Sequence, residues 1–248
     1  MKLIKIILIL IIGVLTIPIF SLFVLSFNST GGQSLRWYYV ILNNQSFVTA
    51  FVNSFTTSLI VSIISSLICF LISLAYFDEK TRILVIFIIL LLGLMPPDIS
   101  SVTINKLAQL IGFTSSNSLF LYLGLILYCL PFGIILLWTR YYFIEKGIFV
   151  ASEDLGLSKK SIIFKVIIPI SKFALINVLL FTFLLSFNEY TRTYYLSGSM
   201  EYLSEFLNGK LSSGTDNSIY AGATISIVIT VLVILFYGLY HNLIKRNI

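Results

Sequence analysis

Ile148-Phe149-Val150-Ala151-Ser152-Glu153-Asp154-Leu155-Gly156-Leu157-Ser158-Lys159-Lys160-Ser161-Ile162-Ile163-Phe164-Lys165-Val166-Ile167-Ile168-Pro169 is a charged stretch between two long apolar runs. Phe149, Ala151, Ser152, Leu155 and Gly156 recur at helical spacing, and Gly156 can end that helix at positive φ. Ser158 can cap a second short helix, to which Ile162, Ile163 and Val166 give an apolar face. Pro169 suits the first turn of a following helix, where its missing N–H has no partner to lose. The stretch predicts two short amphipathic helices joined by a turn, a compact knob of the kind that docks another protein.

Outward from this knob the chain is apolar. Of its 248 residues 58% are hydrophobic and 10% charged, where a soluble domain has about 25% charged. Sixteen basic and ten acidic residues cannot coat a soluble surface of this size. A soluble enzyme, a disordered chain and a coiled coil are excluded, and a polytopic membrane protein is expected. The net charge of +6 does not point to nucleic acid, because no basic patch interleaves with exposed aromatics.

A membrane-crossing helix needs about 20 apolar residues. Six segments qualify: 6–27, 53–77, 83–104, 118–142, 170–194 and 220–243, with the knob in a loop over 143–169. They predict an all-α membrane protein, one transmembrane domain over 1–248. Met95-Pro96-Pro97-Asp98 interrupts the third. Lys2 and Lys5 precede the first, as in a signal peptide. Its apolar run is longer than the roughly 7–15 residues of a cleaved signal and no small-residue cleavage site follows, so it reads as a retained anchor helix.

Lys and Arg concentrate on the cytoplasmic side of membrane proteins. With the N-terminus inside, twelve of the 16 basic residues fall inside, leaving Arg36, Lys106, Arg192 and Lys210 outside. This predicts a multi-pass membrane protein with both termini cytoplasmic. The outer loops, about 28–52 and 195–219, are rich in Asn, Ser, Gly and Tyr and read as polar caps. Two Asn-X-Ser/Thr patterns in the first carry no weight. In the second span Ser58/Ser62/Ser66 and Ser65/Cys69/Ser73 are spaced by four. They read as a packing face of small residues, or else as the wall of a polar pathway. Cys69 and Cys129 read as buried thiols on packed helices, with no metal site.

In the 143–169 loop, Ala151, Gly156 and Pro169 fall in register with the EAA loop of ATP-binding-cassette importer permeases: Glu-Ala-Ala, three residues, Gly, nine residues, Ile, one residue, Leu-Pro. Ser152, Val166 and Ile168 stand for Ala, Ile and Leu, and Asp154-Leu155-Gly156 also matches. Val150 departs, standing where the family usually has Glu. Along the rest of the chain, Leu25-Ser26-Phe27-Asn28, Trp37-Tyr38, Asn53-Ser54, Pro97-Asp98-Ile99 and Ser186-Phe187-Asn188-Glu189-Tyr190 resemble, most of all, the second permease subunit of spermidine/putrescine importers. The resemblance implies a type I importer permease fold and alternating access. It implies a heterodimer with a second permease, two ATP-binding subunits holding the knobs, and an extracytoplasmic substrate-binding protein. Val150, Ala151, Ser152, Glu153, Asp154, Leu155, Gly156, Leu157 and Pro169 would form the ATPase-coupling loop. ATP and Mg would sit on the partner subunits, since this chain has no G-x-x-x-x-G-K-[ST] phosphate loop.

Acidic residues inside spans are costly and point to function. Counted along straight helices, Asp98 lies about 24 Å and Glu189 about 28 Å across a core of about 30 Å. Two carboxylates at similar depth could receive a polycation, with Tyr190, Tyr194 and Tyr195 adding cation–π contacts. Two plainer readings stay open: Glu189 pairs with Arg192 three residues on, and Asp98 caps a helix restarted after Pro96-Pro97. His241 reads as interfacial, and Glu201 and Glu205 as a solvated helix face or a contact for the binding protein.

Other functions remain in view. Related permeases carry iron, thiamine and other organic cations. A stand-alone secondary carrier would show paired broken spans, and the sequence suggests one break, near Pro96-Pro97. A membrane-embedded enzyme would need a clustered nucleophile, base or metal set, so the chain reads as a transport subunit with no catalytic residues.

Overall fold

The apolar runs become helices, and where they break there is a local chemical cause. The computed structural model describes residues 2–29, 32–33, 35–75, 82–113, 118–142, 146–213 and 217–246. After α1 (Lys2–Phe27), Asn28–Ser29 pairs antiparallel with Gly32–Gln33. Then follow α2 (Arg36–Leu42), α3 (Gln45–Ala75), α4 (Arg82–Leu94), α5 (Pro97–Leu110) and α6 (Ser118–Tyr142). The knob holds α7 (Lys146–Asp154), α8 (Lys159–Ile162) and a π turn (Ile163–Ile167). The chain ends with α9 (Ile168–Phe187), α10 (Thr191–Leu196), α11 (Leu203–Ser212) and α12 (Ser218–Arg246). Among the described residues five helices are long and apolar enough to cross a membrane: Leu10–Phe27, Gln45–Ala75, Ser118–Tyr141, Lys159–Phe187 and Ser218–Leu239.

The third expected span, 83–104, is not one helix. Pro96 has φ −52° and ψ 133°, the extended conformation that a following proline imposes, so α4 stops and α5 restarts at Pro97. The 13 residues of α4 rise only about 20 Å. The fifth, 170–194, also breaks: α9 ends at Phe187 and α10 begins at Thr191. The second starts earlier than expected, at Gln45, which shortens the loop before it. Residues 76–77, residues 143–145, and the side chains of Phe149 and His241 lie outside the described residues.

By contacts the chain divides into two units, Met1–Val52 with Glu201–Leu239 and Asn53–Met200 with Tyr240–Ile248. In the first, α2 packs on α1. Ser26 Oγ and Tyr38 Oη lie 2.7 Å apart, and Trp37 Nε1 donates to the Asn28 carbonyl at 2.6 Å. Asn217 Nδ2 donates to the same carbonyl at 3.0 Å. Buried Ile41, Phe47, Tyr202 and Leu203, with Phe206 edge-on to Phe47 at 5.8 Å, give this unit an apolar centre. The expected polar caps thus contain two short helices packed on apolar residues. Leu203, Phe206 and Leu207 carry the helical spacing behind α11.

In the second unit α6 packs against α4, α5, α9 and α10. Ser58, Ser62, Ser65, Cys69 and Ser73 are buried, while Ser66 is half-buried and donates to the Ile63 carbonyl at 2.9 Å, so the small-residue face of α3 is a packing face except at Ser66. Gly133 shows how close the approach is: a Cβ there would lie 2.6 Å from Cys69 Sγ and 3.0 Å from Val178 Cγ1. Both cysteines are free and buried. Cys69 Sγ donates to the Leu130 carbonyl and Cys129 Sγ to the Thr182 carbonyl, each at 3.6 Å, tying α3 to α6 and α6 to α9.

Candidate functional site

The knob is built by two caps. Gly156 takes φ +76°, a conformation costing an L-residue with a Cβ roughly 1–2 kcal/mol. Its N–H donates to the Glu153 carbonyl at 2.8 Å, and the Leu157 N–H to the Ser152 carbonyl at 3.2 Å. These two bonds make a Schellman stop for α7. Ser158 then caps α8, its Oγ accepting from the Ser161 N–H at 3.3 Å. Ser152 is buried and donates to the Ile148 carbonyl at 2.6 Å. Ala151, Glu153, Asp154 and Leu155 are exposed, and Val150 is 57% exposed. The outer edge of α7 is therefore apolar and acidic together.

The π turn is the part of the knob that the sequence did not announce. Pro169 sits inside the first turn of α9, with the π turn and α8 running directly into it. Its ring would clash with the Lys165 carbonyl of a regular helix, and it offers that carbonyl no N–H. A wider turn just upstream relieves both problems. Ile162 and Ile167 are buried while Phe164 stays exposed, so the turn also sets which apolar side chains face the bundle.

The second site is the break between α9 and α10. Asn188 and Tyr190 flank Glu189, whose Oε1 accepts from Arg192 Nη1 at 2.9 Å and from the Arg192 N–H at 3.3 Å. The carboxylate thus serves a backbone donor of the restarted helix as well as the guanidinium, which is why the chain can break here without Pro or Gly. Arg192 is buried, and its guanidinium lies 4.2 Å from the centre of the Tyr128 ring on α6. Thr193 Oγ1 donates to the Glu189 carbonyl, and Asn105 Nδ2 on α5 to that of Tyr195 at 3.2 Å. The 189–192 ion pair, one of the two readings open from sequence, is present. Tyr128 had no local signal, because its role depends on packing between helices remote in sequence.

Tyr190 and Tyr194 stand together, ring centres 5.7 Å apart, with Tyr195 5.3 Å from Tyr194. Asp98 is exposed in the first turn of α5. There it faces the positive end of the helix dipole. The residue at the N-cap is Pro96, which makes no side-chain cap bond. Each helix breaks within three residues of its carboxylate, so a straight rise cannot be counted through to Asp98 or past Phe187 to Glu189. α5 packs on α10, and Asn105, seven residues on from Asp98, bonds the carbonyl of Tyr195, six residues on from Glu189. The structure pairs Glu189 with Arg192 and sets Tyr190 beside Tyr194, while Asp98 opens α5.

Residues 81–248 match the family of binding-protein-dependent transport system inner membrane components. Over 229 residues the chain is 26% identical to the spermidine/putrescine transport system permease protein PotC of Haemophilus influenzae, covering 89% of both chains. It is 27% identical over 230 residues to PotC of Escherichia coli strain K12, covering 89% of this chain and 87% of that one. Among solved structures, a bacterial ABC transporter importing the acidic polysaccharide alginate aligns with a TM-score of 0.73 at 14% identity, over 100% of this chain and 96% of that one. The MetNI methionine ABC transporter aligns with a TM-score of 0.63 at 17% identity, over 79% and 96%.

Proposed function

The chain belongs to the binding-protein-dependent transport system inner membrane components, the permeases of ABC importers, and from that premise we propose that it moves polyamines of the spermidine/putrescine type inward. The observation that carries the importer part of this reading is the knob between α6 and α9, with its Schellman stop at Gly156 and its cap at Ser158. Val150, Ala151, Ser152, Glu153, Asp154, Leu155, Gly156, Leu157 and Pro169 form or shape the surface that couples to the ATPase. Two ATP-binding subunits carry ATP and Mg, a second permease completes a heterodimer, and an extracytoplasmic binding protein delivers solute. ATP-driven closure of the ATPase pair rocks the permeases as near-rigid bodies. In this reading the chain crosses the membrane six times, α4 and α5 together making the third crossing, with both termini cytoplasmic. The names of the PotC relatives support polyamine as the solute, and Asp98, Glu189, Tyr190 and Tyr194 are its proposed contacts.

One observation favours a second reading. Arg192 neutralises Glu189, which suits a less highly charged solute such as thiamine or another singly charged organic cation. The test is co-expression with the neighbouring transporter genes, co-purification, and uptake of labelled spermidine into vesicles. An ATP-dependent spermidine signal supports the proposal. A chain stable and active without any ATPase overturns the importer reading. ATP-dependent uptake of a different solute overturns the polyamine reading alone.

A further inference from the structure

Helix α2 exposes two unlike stripes. On one, Leu35, Tyr39 and Leu42 are spaced by four and three, so they share a face, and all are exposed, Tyr39 by 74%. Beside them Arg36 and Asn43, also exposed, line a polar stripe about 80–100° round the helix, with Val40, 37% exposed, at its far edge. The opposite side, Trp37, Tyr38 and Ile41, turns inward: Ile41 is buried and Tyr38 is bonded to Ser26. The outward half of α2 is thus amphipathic by itself.

The depth of α2 is set by its ties to α1. Trp37 Nε1 bonds the Asn28 carbonyl, one residue past the end of α1, and the Tyr38 ring lies 5.2 Å from that of Phe27. The part of α1 apolar enough to cross a membrane, Leu10–Phe27, rises about 27 Å and ends at Phe27, so Asn28 and what is tied to it stand at the edge of a hydrocarbon core of about 30 Å. A helix held there lies at headgroup level, where Trp and Tyr concentrate. A water-facing helix would not turn Leu35, Tyr39 and Leu42 outward together. A helix in the hydrocarbon would not hold Arg36 and Asn43 beside them.

We propose that α2 is an interfacial helix whose partner is the phospholipid surface, with Leu35, Tyr39 and Leu42 seated on the acyl boundary and Arg36 and Asn43 toward the headgroups and water. It fixes the depth of α1 from the side opposite to Lys2 and Lys5.

The test is a cysteine scan of positions 35, 36, 39, 42 and 43 in a Cys69→Ala/Cys129→Ala background. Each site is spin-labelled, and the full chain is placed in phosphatidylethanolamine/phosphatidylglycerol vesicles. Accessibility is then read to oxygen, which enters the acyl region, and to a polar nickel chelate, which does not. Sites 35, 39 and 42 should favour oxygen severalfold over sites 36 and 43. Uniform nickel access, meaning a water-facing helix, overturns the proposal. So does a loss of oxygen access at 35, 39 and 42 when the partner subunits or binding protein are added, since protein would then cover the face. Should the cysteine-free background not fold, Trp138→Phe/Tyr39→Trp puts a reporter on the exposed stripe, read by difference from Trp138→Phe alone. Brominated phosphatidylcholine should quench its emission most when the bromine lies shallow, and absence of quenching at every depth overturns the proposal.

Discussion

Replacing Glu189 by Gln strands a buried guanidinium, and the cost can be worked from the geometry. Arg192 Nη1 lies 2.9 Å from Glu189 Oε1, and the two side chains are only 5% and 13% exposed, Arg192 first. At that separation an effective dielectric of about 20 gives an attraction of about 6 kcal/mol. Desolvation offsets much of this, while removing one partner of a buried pair typically costs about 3–5 kcal/mol. Tyr128 moderates the first case. Its ring still faces the guanidinium at 4.2 Å, a contact worth about 2 kcal/mol when desolvated, so Glu189→Gln should fall near 3 kcal/mol. Arg192→Gln removes the cation from both contacts and should fall near 5 kcal/mol. The double variant Glu189→Gln/Arg192→Gln strands no charge. Its loss should be smaller than the sum of the two by more than about 1 kcal/mol. Denaturant unfolding of the full chain in detergent micelles reads the cycle. Additive losses, with a coupling below about 0.5 kcal/mol, would refute the reasoning. Uptake measured on the same variants then separates two roles. If Glu189 serves only Arg192, the double variant regains uptake together with stability. If Glu189 also receives the solute, stability returns and cation uptake does not.

Gly133→Ala places a Cβ 2.6 Å from Cys69 Sγ and should cost about 1–3 kcal/mol by overpacking; Gly133→Ala/Cys69→Ala should recover most of it, and equal unfolding midpoints for the single and double variants would count against the α3–α6 contact. Gly156→Ala meets no neighbour but must hold φ +76°, so a loss of about 1–2 kcal/mol in the knob should appear as weaker ATPase co-purification, and Gly156→Asn should lose less. Val150→Glu, at a site 57% exposed, should leave stability within about 0.5 kcal/mol. Its effect should be confined to ATPase co-purification, which falls if the partner surface facing this edge is apolar and rises if it is basic.

Some elements were legible from sequence because their signals are local. The span over 118–142 coincides with α6, since a long apolar run with Arg140 near its end is a strong local signal that carries the helix through Pro131. The turn at Gly156 and the cap at Ser158 were legible for the same reason. α2 and α11 were not, because Asn and Ser in the surrounding loops masked short apolar patterns that become helices only when Ile41, Phe47 and Leu203 are buried. The π turn was missed because Pro169 read as a helix start, whereas helix runs through it and the chain absorbs the missing N–H upstream. Arg192 could be placed three residues from Glu189, but its burial against Tyr128 required the packing of α10 on α6.

The break at Asn188–Tyr190 changes how the competing functions are separated. From sequence a carrier was disfavoured because only one span looked broken, at Pro96-Pro97. The structure has a second break, and the two half-helices that follow them, α5 and α10, pack on each other. Paired broken spans are a feature of carriers, so that criterion no longer discriminates. What does discriminate lies elsewhere, in the match of residues 81–248 to the importer permeases. The breaks themselves have a physical use in either kind of transporter. Backbone that leaves the helix within a membrane must be satisfied by protein or water. At the second break Glu189 accepts from the Arg192 N–H and Thr193 donates to the Glu189 carbonyl, which satisfies part of that demand. A change that straightens either span, such as Pro96→Ala with Pro97→Ala, would withdraw the polar backbone and alter the packing of both half-helices together.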